Sequence, residues 1–536
     1  VLPCVIFEDE HLLVVNKPAG MNTHAPSPFA GEGIYEWLRH REPRWSGLAI
    51  LHRLDKETSG VMVFGKTAAA NRALTDQFSR RVVRKKYLLL TDRPVKQRDL
   101  SVRSNILRAG ERYASGPGGE PAETRFRVRA EQPRFKDRRA SGSEIHVVEA
   151  EPLTGRTHQI RVHAAEKGFP ILGDTLYGGS PFDRVCLHAE ELAIRHPDNG
   201  KELVFRAPVD FLADARLALR SLLVDPRMTN AFRVVHGASD GWRGWYVDRL
   251  GEFCVSQSEA ELSESQLDYL KGLGGVRGLY HKILNRQVRR ASQTESSPQL
   301  VWGEAAPERF SIRENGVEFE LSFNEGYSVG LFLDQRDNRR RLLATHVADG
   351  FPLIAPRTDP GAPLEMLNAF AYTCGFSVCA AKAGIRATSL DLSKKYLEWG
   401  RRNFILNHLD PAAHDFIYGD VFDWLRRLGK KGRTFDLIAL DPPTFSQSKE
   451  HGVFRVEKDY GRLIALALPL LRPGGVLFAS TNAAEWRAEE FLEIVHDTVR
   501  LAKRRVLGQH YVPQPPDFPV SRTEPAYLKT VWLRLS

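Results

Sequence analysis

The sequence reads as a multidomain chain: an N-terminal α+β domain on a mainly antiparallel sheet, a small α+β middle domain, and a C-terminal α/β domain with a doubly wound parallel sheet. Three observations predict this. At 536 residues the chain exceeds one ordinary domain and can bury more than one core. Up to about Asp225, short β-like segments are separated by Gly and Pro turns with few long helical runs. From Leu364 onward, short apolar runs are each followed by a helical stretch, the alternation of parallel strands with crossover helices.

In the first domain, residues 1–225, the segments HLLVV, GVMVF, KKYLLL and EIHVVEA read as strands. The helical-looking FLADARLALRSLLV ends it, before Asp225-Pro226 breaks the pattern. The middle domain, 226–323, restarts with AFRVVHG at Ala231, alternates through WYVDRLGEFCVSQS and VEFELSF, and carries one helical piece near Leu262 to Leu273. The last domain, 324–536, first passes a proline-rich loop from Phe351 to Pro363 with no assignable role. LEMLNAF, ATSLD, DFIYGD, DLIALDPP and VLFASTN are then its strands and SKKYLEWGRRNFILNHL a connecting helix. VLGQHYV and YLKTVWLRL read as a terminal antiparallel hairpin.

Composition narrows the function classes. With 42% hydrophobic and 26% charged residues, the chain has the make-up of a folded protein and little room for disorder. The longest apolar stretch, Leu463 to Leu471, falls short of the roughly 20 residues a membrane helix needs. No secretory pattern opens the chain, and Val1 in the first position suggests a missing or processed start; a cytoplasmic location is expected. Five scattered cysteines without a Cys-x-x-Cys pair support neither a disulfide framework nor a zinc site, and His11, His24, His236, His281 and His510 show no metal spacing, so no metal is expected. The net charge of +10 suits a polyanionic partner. Nine of the basic residues crowd between Arg72 and Arg98 against two acids, and a second basic run goes from Arg125 to Arg139.

The first basic run follows the segment HRLDKETSG at His52 to Gly60, where one carboxylate, Asp55, sits between Arg53 and Lys56 ahead of a Ser-Gly turn. A carboxylate near cations favours its ionised form and can act as a nucleophile; a surface ion pair is the plainer alternative. Four segments then occur together: NKPAG at Asn16 to Gly20, HRLDKETSG, RKKYLLL at Arg84 to Leu90, and LTGRTHQIRVHAAEKGFPILGDTLYGG at Leu153 to Gly179. Jointly and in this order they resemble the RluA-type pseudouridine synthases, over about Val5 to Pro208. The resemblance implies a pseudouridine synthase fold with Asp55 as nucleophile, Tyr87 lining the base and assisting proton removal, and Arg161 paired with Asp55. It further implies Arg53 filling the gap left by a flipped uridine. Arg84, Lys85 and Lys86 would grip phosphate. The isomerisation needs no cofactor.

In the last domain, LEMLNAFAYTCGFSV places a strand, a small-residue turn with Gly375, and a helix start whose free N–H groups can approach a ligand. Asp391 follows Asn368 at about the spacing of a ribose-binding acid, Asp420 ends a third strand, and Asp441-Pro442-Pro443-Thr444-Phe445 leaves the fourth as a rigid loop. With HGASDGWRGWYVDRLGEF at His236 to Phe253 and GLFLDQRDNRR at Gly330 to Arg340, this half resembles class I S-adenosylmethionine-dependent methyltransferases. The likeness is to the RlmI and RlmK group that modifies large-subunit ribosomal RNA, from about Ala231 to the end. The resemblance implies a Rossmann-like methyltransferase fold. It also implies S-adenosylmethionine contacts from Asp334, Arg336, Asn368, Tyr372, Gly375, Asp391 and Asp420, with Asp441, Pro442, Pro443 and Phe445 presenting the target base. A dehydrogenase is the other Rossmann reading, disfavoured by the missing G-x-G-x-x-G.

One departure bears on the target. Members that methylate the 5-carbon of cytosine place a cysteine after the strand that here reads VLFASTN, and this chain has Ser480, Thr481 and Asn482. A nitrogen target needs no covalent adduct, so a guanine nitrogen is expected. The two halves together predict a bifunctional enzyme acting on large-subunit ribosomal RNA or its precursor, with no membrane and no obligate protein partner. The alternative from another class is an RNA-binding ribosome assembly factor with one or neither site active.

Overall fold

The computed structural model describes residues 2–129, 144–284, 297–325, 328–354, 363–448 and 452–536. Most of the second basic run, the centre of the proline-rich stretch and Lys449 lie outside them. The chain divides into two compact units. One comprises Val1–His24, Gly33–Glu36 and Gly47–Asp225; the other comprises Ala25–Glu32, Trp37–Ser46 and Pro226–Ser536.

The first unit is built on an 11-stranded sheet. Its middle runs Leu12–Lys17, Ser59–Gly65, Leu187–Arg195, Arg84–Thr91, His146–Pro152, Glu120–Val128. Leu187–Arg195 lies parallel to Ser59–Gly65, and the other pairings of this sheet are antiparallel. Helix Ala68–Ser79 starts where Thr67 accepts the Ala70 N–H, and it buries Ala70 and Leu74. Apolar clusters around Leu12, Val14 and Val63, and around Leu89, Val148 and Phe169, form the core. A sheet with covered faces places its loops as the free ends where side chains can converge.

The second unit holds a five-stranded sheet, Ala231–His236, Tyr246–Leu250, Phe253–Ser258, Gly278–Ile283 and Gln299–Gly303, with helix Glu264–Lys271 joining its third and fourth strands. Ser263 and Gln266 cap that helix reciprocally. A seven-stranded sheet follows in the order Asp415–Tyr418, Arg386–Asp391, Glu365–Ala369, Phe435–Leu440, Leu471–Thr481, Lys529–Leu535, Val506–Val512. The first five are parallel and the last two form the antiparallel hairpin. This is the doubly wound sheet that the strand-helix alternation predicts.

One apolar cluster joins Leu250, Phe253 and Tyr280 of the five-stranded sheet to Ile312, Phe319, Met366, Phe478 and Trp532, so the boundary expected at 323 falls inside a continuous core. Strand order reverses between Glu365–Ala369 and Phe435–Leu440, which opens a crevice at the carboxyl ends of the parallel strands. Among the described residues no helix is long and apolar enough to cross a membrane.

Candidate active sites

In the first unit the loop carrying Asp55 is held from below by the NKPAG segment. Lys17 is fully buried, and its ammonium donates to the carbonyls of Pro18 (2.9 Å), Met21 (2.7 Å) and Lys56 (3.3 Å). Burial pulls its pKa down to about 7, although Asp55 and Glu57 favour its charge. The Thr23 hydroxyl donates to the Leu54 carbonyl (2.7 Å) and accepts the Leu54 N–H (3.0 Å). Beyond the loop the chain must turn into the sheet at Gly60, whose φ is +122° and where a Cβ would lie 2.2 Å from the Ala189 carbonyl oxygen. Only glycine lets this strand run beside Leu187–Arg195.

Asp55, Tyr87, Arg53, Lys85, His158 and Arg161 converge on a cavity of about 780 Å3. Arg161 is 4% exposed and is gripped bidentately by Asp174, itself 1% exposed, at 2.7 and 2.8 Å. Its remaining Nη1 faces Asp55 and Glu57, each at 3.6 Å. Burial disfavours the guanidinium charge, but Asp174, then Asp55 and Glu57, more than offset this and raise its pKa. The Tyr87 phenol is pushed up by burial and by Asp55, so it stays protonated.

His158 carries no role in the sequence reading. Its backbone is left-handed, φ 56°, at the start of helix Gln159–Glu166. Its Nε2 lies 3.1 Å from Arg161 Nη1, which can only donate, so Nε2 accepts and Nδ1 carries the proton toward the Tyr177 oxygen at 2.8 Å. Burial lowers its pKa and keeps it neutral. No spacing in the sequence brings Asp55, His158 and Asp174 to one guanidinium.

Two of the expected phosphate contacts, Arg84 and Lys86, lie outside the cavity lining. On strand Arg84–Thr91 successive side chains alternate, so Lys85 and Tyr87 face the cavity while Arg84 and Lys86 point the other way. Arg84 lies 3.4 Å from Glu202 and 3.9 Å from Glu191, and Lys86 is 3.9 Å from Glu149. Three adjacent basic residues on one strand do not share one face. Arg53 is exposed at the cavity rim.

In the second unit a cavity of about 910 Å3 lies at the carboxyl ends of the parallel strands. Strand Glu365–Ala369 leaves through a turn in which Phe370, Tyr372 and Cys374 all have positive φ, and helix Gly375–Lys382 begins there. Asp391 locks the turn by accepting the N–H of Tyr372 and of Ser393, each at 2.8 Å; burial nevertheless raises its pKa. Asp334, Tyr372, Gly375, Asp391, Asp420, Asp441, Pro442, Pro443 and Phe445 all line the cavity. Burial pushes Asp441 up to about 6, against hydrogen bonds from Ser480 and from Gln335 (3.2 Å).

Arg336 and Asn368, expected as cofactor contacts, do not line this cavity. Arg336 forms a buried bidentate pair with Asp517, one contact being 2.9 Å, and Asp517 lies 181 residues away where no local spacing could reveal it. Asn368 is buried and donates to Ser377 Oγ at 2.9 Å, fastening the first strand to the first helix. Gln335, Arg339 and Phe332, which the sequence reading passed over, do line the cavity. Cys374 and Cys379 are buried and absent from it, and burial pushes the Cys374 thiol up to about 12. Elsewhere in this unit Glu32, His40 and His510 bring three donor atoms within 4.8 Å of one another, a cluster that sequence spacing did not show. His40 Nδ1 lies 2.6 Å from Glu32, with the Arg341 guanidinium 3.8 Å from the same carboxylate.

Comparison with known proteins matches residues 11–166 to the RNA pseudouridylate synthase family and residues 277–534 to the S-adenosylmethionine-dependent methyltransferase family. A ribosomal RNA large subunit methyltransferase of Deinococcus radiodurans is 33% identical, over 60% of this chain and 78% of the relative. A ribosomal large subunit pseudouridine synthase C of Yersinia pestis is 38% identical, over 40% of this chain and 69% of the relative. The chain belongs to both families. A methyltransferase crystal structure complexed with SAH is 28% identical with a TM-score of 0.51, covering 65% of this chain and 88% of that one. The first unit is therefore a pseudouridine synthase and the second carries an S-adenosylmethionine-dependent methyltransferase.

Proposed function

We propose that this bifunctional enzyme acts on large-subunit ribosomal RNA, in the cytoplasm, converting one uridine to pseudouridine through Asp55 and methylating one guanine nitrogen beside Asp441. The observation that carries the reading is the convergence of Asp55, Tyr87 and Arg161 on one cavity and of Asp391, Asp420 and the Asp441 loop on the other.

In the synthase, the glycosidic C–N bond breaks, the base turns, a C–C bond forms at its 5-position, and the proton there is replaced by one on the ring nitrogen, so the step is balanced without a cofactor. Asp55 faces the cavity with Arg161 behind it, placed to engage the sugar once the base departs. Tyr87, held protonated, relays a proton rather than releasing one outright. Arg53 at the rim is placed to occupy the stack vacated by the extruded uridine.

In the methyltransferase, Asp391 and Asp420 are carboxylates suited to hydroxyl and amine groups, and the left-handed turn opens the space above helix Gly375–Lys382; these features fit S-adenosylmethionine. When bound, that cofactor supplies an electrophilic methyl group to a nucleophile in line with sulfur. Asp441 accepts a hydrogen bond from an amino group and can take its proton, and Pro442 and Pro443 fix the loop that presents Phe445 as a stacking face. The absence of cysteine from the lining favours a nitrogen over a ring carbon as the acceptor.

The test is to map pseudouridine and methylated guanine on ribosomal RNA from cells lacking the protein, then restore Asp55→Ala and Asp441→Asn variants. Loss of one modification with each variant supports the reading; both modifications persisting without the protein overturns it.

A further inference from the structure

Glu32, His40 and His510 form a cluster that neither reaction uses. Glu32 precedes helix Ile34–Arg41, His40 sits in its last turn, and His510 lies on the hairpin strand Val506–Val512. The chain around the first two packs on the methyltransferase. Phe29 meets Tyr511 edge-on with ring centres 5.1 Å apart, and the Trp37 indole donates to Asp337 at 3.2 Å.

The three side chains bring one donor atom each within 4.8 Å of one another. Glu32 and His40 touch at 2.6 Å with side chains 10 and 15% exposed, and by themselves they would be an ordinary sheltered ion pair. His510 is what that plainer reading leaves out. Its ring centre lies 4.2 Å from that of His40, and its buried Nε2 has no hydrogen-bond partner among the described residues. Buried polar atoms in a native fold are normally met, so this one calls for a ligand. Burial also holds His510 well below its ordinary pKa, which leaves the ring neutral with a lone pair to give. Burial would raise Glu32, but His40 and Arg341 bring it below its ordinary value and keep it ionised.

Two imidazoles and one carboxylate select the class of cation. Magnesium and calcium take oxygen donors, whereas zinc and its neighbours in the first transition row take imidazole. Tetrahedral zinc bonds of about 2.0–2.1 Å set donors about 3.3 Å apart. The Glu32–His40 contact would open slightly and His510 would close by at most about 1.5 Å, a distance that side-chain rotation covers. Arg341, 3.8 Å from Glu32, opposes a bare dication but also supplies the outer partner that a metal-bound carboxylate usually has. The other nearby cations have acids of their own, Arg41 with Asp337 and Arg340 with Glu42. His346 faces the Arg39 carbonyl at 3.4 Å and stands outside the cluster, so one position is left for water.

We propose that Glu32, His40 and His510 bind one zinc-class divalent ion, which fastens Glu32 and His40 to the methyltransferase hairpin. The site is structural and independent of either reaction.

The experiment strips the full chain of metal with a chelator and titrates it with Zn2+, and with Co2+ as a coloured substitute. The unaltered chain should bind one ion with a dissociation constant of about 1 µM or tighter and show the visible absorption of four-coordinate cobalt. Zinc X-ray absorption should give nitrogen and oxygen ligands without sulfur. His40→Gln and His510→Phe should each weaken binding by roughly 100-fold or more, while His496→Gln, outside the cluster, leaves it unchanged. Zinc should raise the melting midpoint of the unaltered chain and not that of His510→Phe. Variants are compared once their circular dichroism and affinity for S-adenosylhomocysteine match the unaltered chain; should one fail to fold, stoichiometry and X-ray absorption of the unaltered chain still decide. No stoichiometric binding, a sulfur ligand, or affinity that survives both cluster substitutions overturns the proposal.

Discussion

Asp174→Asn in the synthase should separate stability from chemistry around Arg161. The guanidinium is 4% exposed and Asp174 1% exposed, with two contacts at 2.7 and 2.8 Å, whereas Asp55 is 25% exposed and stands at 3.6 Å. Removing one partner of a buried ion pair costs about 3–5 kcal/mol, because the other charge stays buried without its counterion. In a unit of this size that lowers the midpoint of thermal unfolding by roughly 6–20 °C. Asp55→Ala removes a looser and partly exposed contact, worth at most about 1 kcal/mol, yet it should abolish pseudouridine formation. The assay is differential scanning calorimetry of the full chain beside pseudouridine quantification, with methyl transfer at low temperature as the internal control. If Asp174→Asn melts within about 2 °C of the unaltered protein, or if Asp55→Ala destabilises as much as Asp174→Asn, the division of labour drawn here is wrong.

The methyltransferase offers three further expectations. Asp441 has its pKa raised to about 6, so as an ionised proton acceptor it should let methyl transfer rise as pH climbs through that value and level off above it. Asp441→Asn should lose roughly 10²–10⁴-fold and erase the inflection, which pH-rate profiles would reveal. All five cysteines are buried, so prolonged iodoacetamide treatment of the folded enzyme should leave methyl transfer intact, and rapid inactivation would point to a thiol in the chemistry. Arg336→Ala should destabilise by about 3–5 kcal/mol in denaturant titrations. The double variant Arg336→Met with Asp517→Leu should recover most of that loss and bind S-adenosylhomocysteine normally, which a direct cofactor contact would not allow.

Strand-helix alternation and its switch of period near Leu364 were legible because binary patterning follows the geometry of each element, and so the doubly wound sheet and its terminal hairpin were readable. The first unit's sheet was legible as strands but not as an order, since the parallel pairing of Ser59–Gly65 with Leu187–Arg195 joins segments more than 120 residues apart. Asp55, Tyr87, Arg161, Asp391 and Asp441 stood out through motifs in short stretches of chain, and all five line one of the two cavities. Arg84, Lys86, Arg336 and Asn368 looked equivalent to them because residue type and spacing do not say which way a side chain points.

By itself the amino-acid order determined that two chemistries share this chain, each written in local runs whose residues must be neighbours to work. Tertiary structure alone decided that Asp174 and His158 flank Arg161, that Asp517 takes Arg336, and that Glu32, His40 and His510 come together. Asp517 lies 181 residues from Arg336, and even where the partner is close in sequence, as His158 is to Arg161, residue type does not say which way its side chain turns. Charge pairing and burial depend on distance through space, which only the folded chain defines.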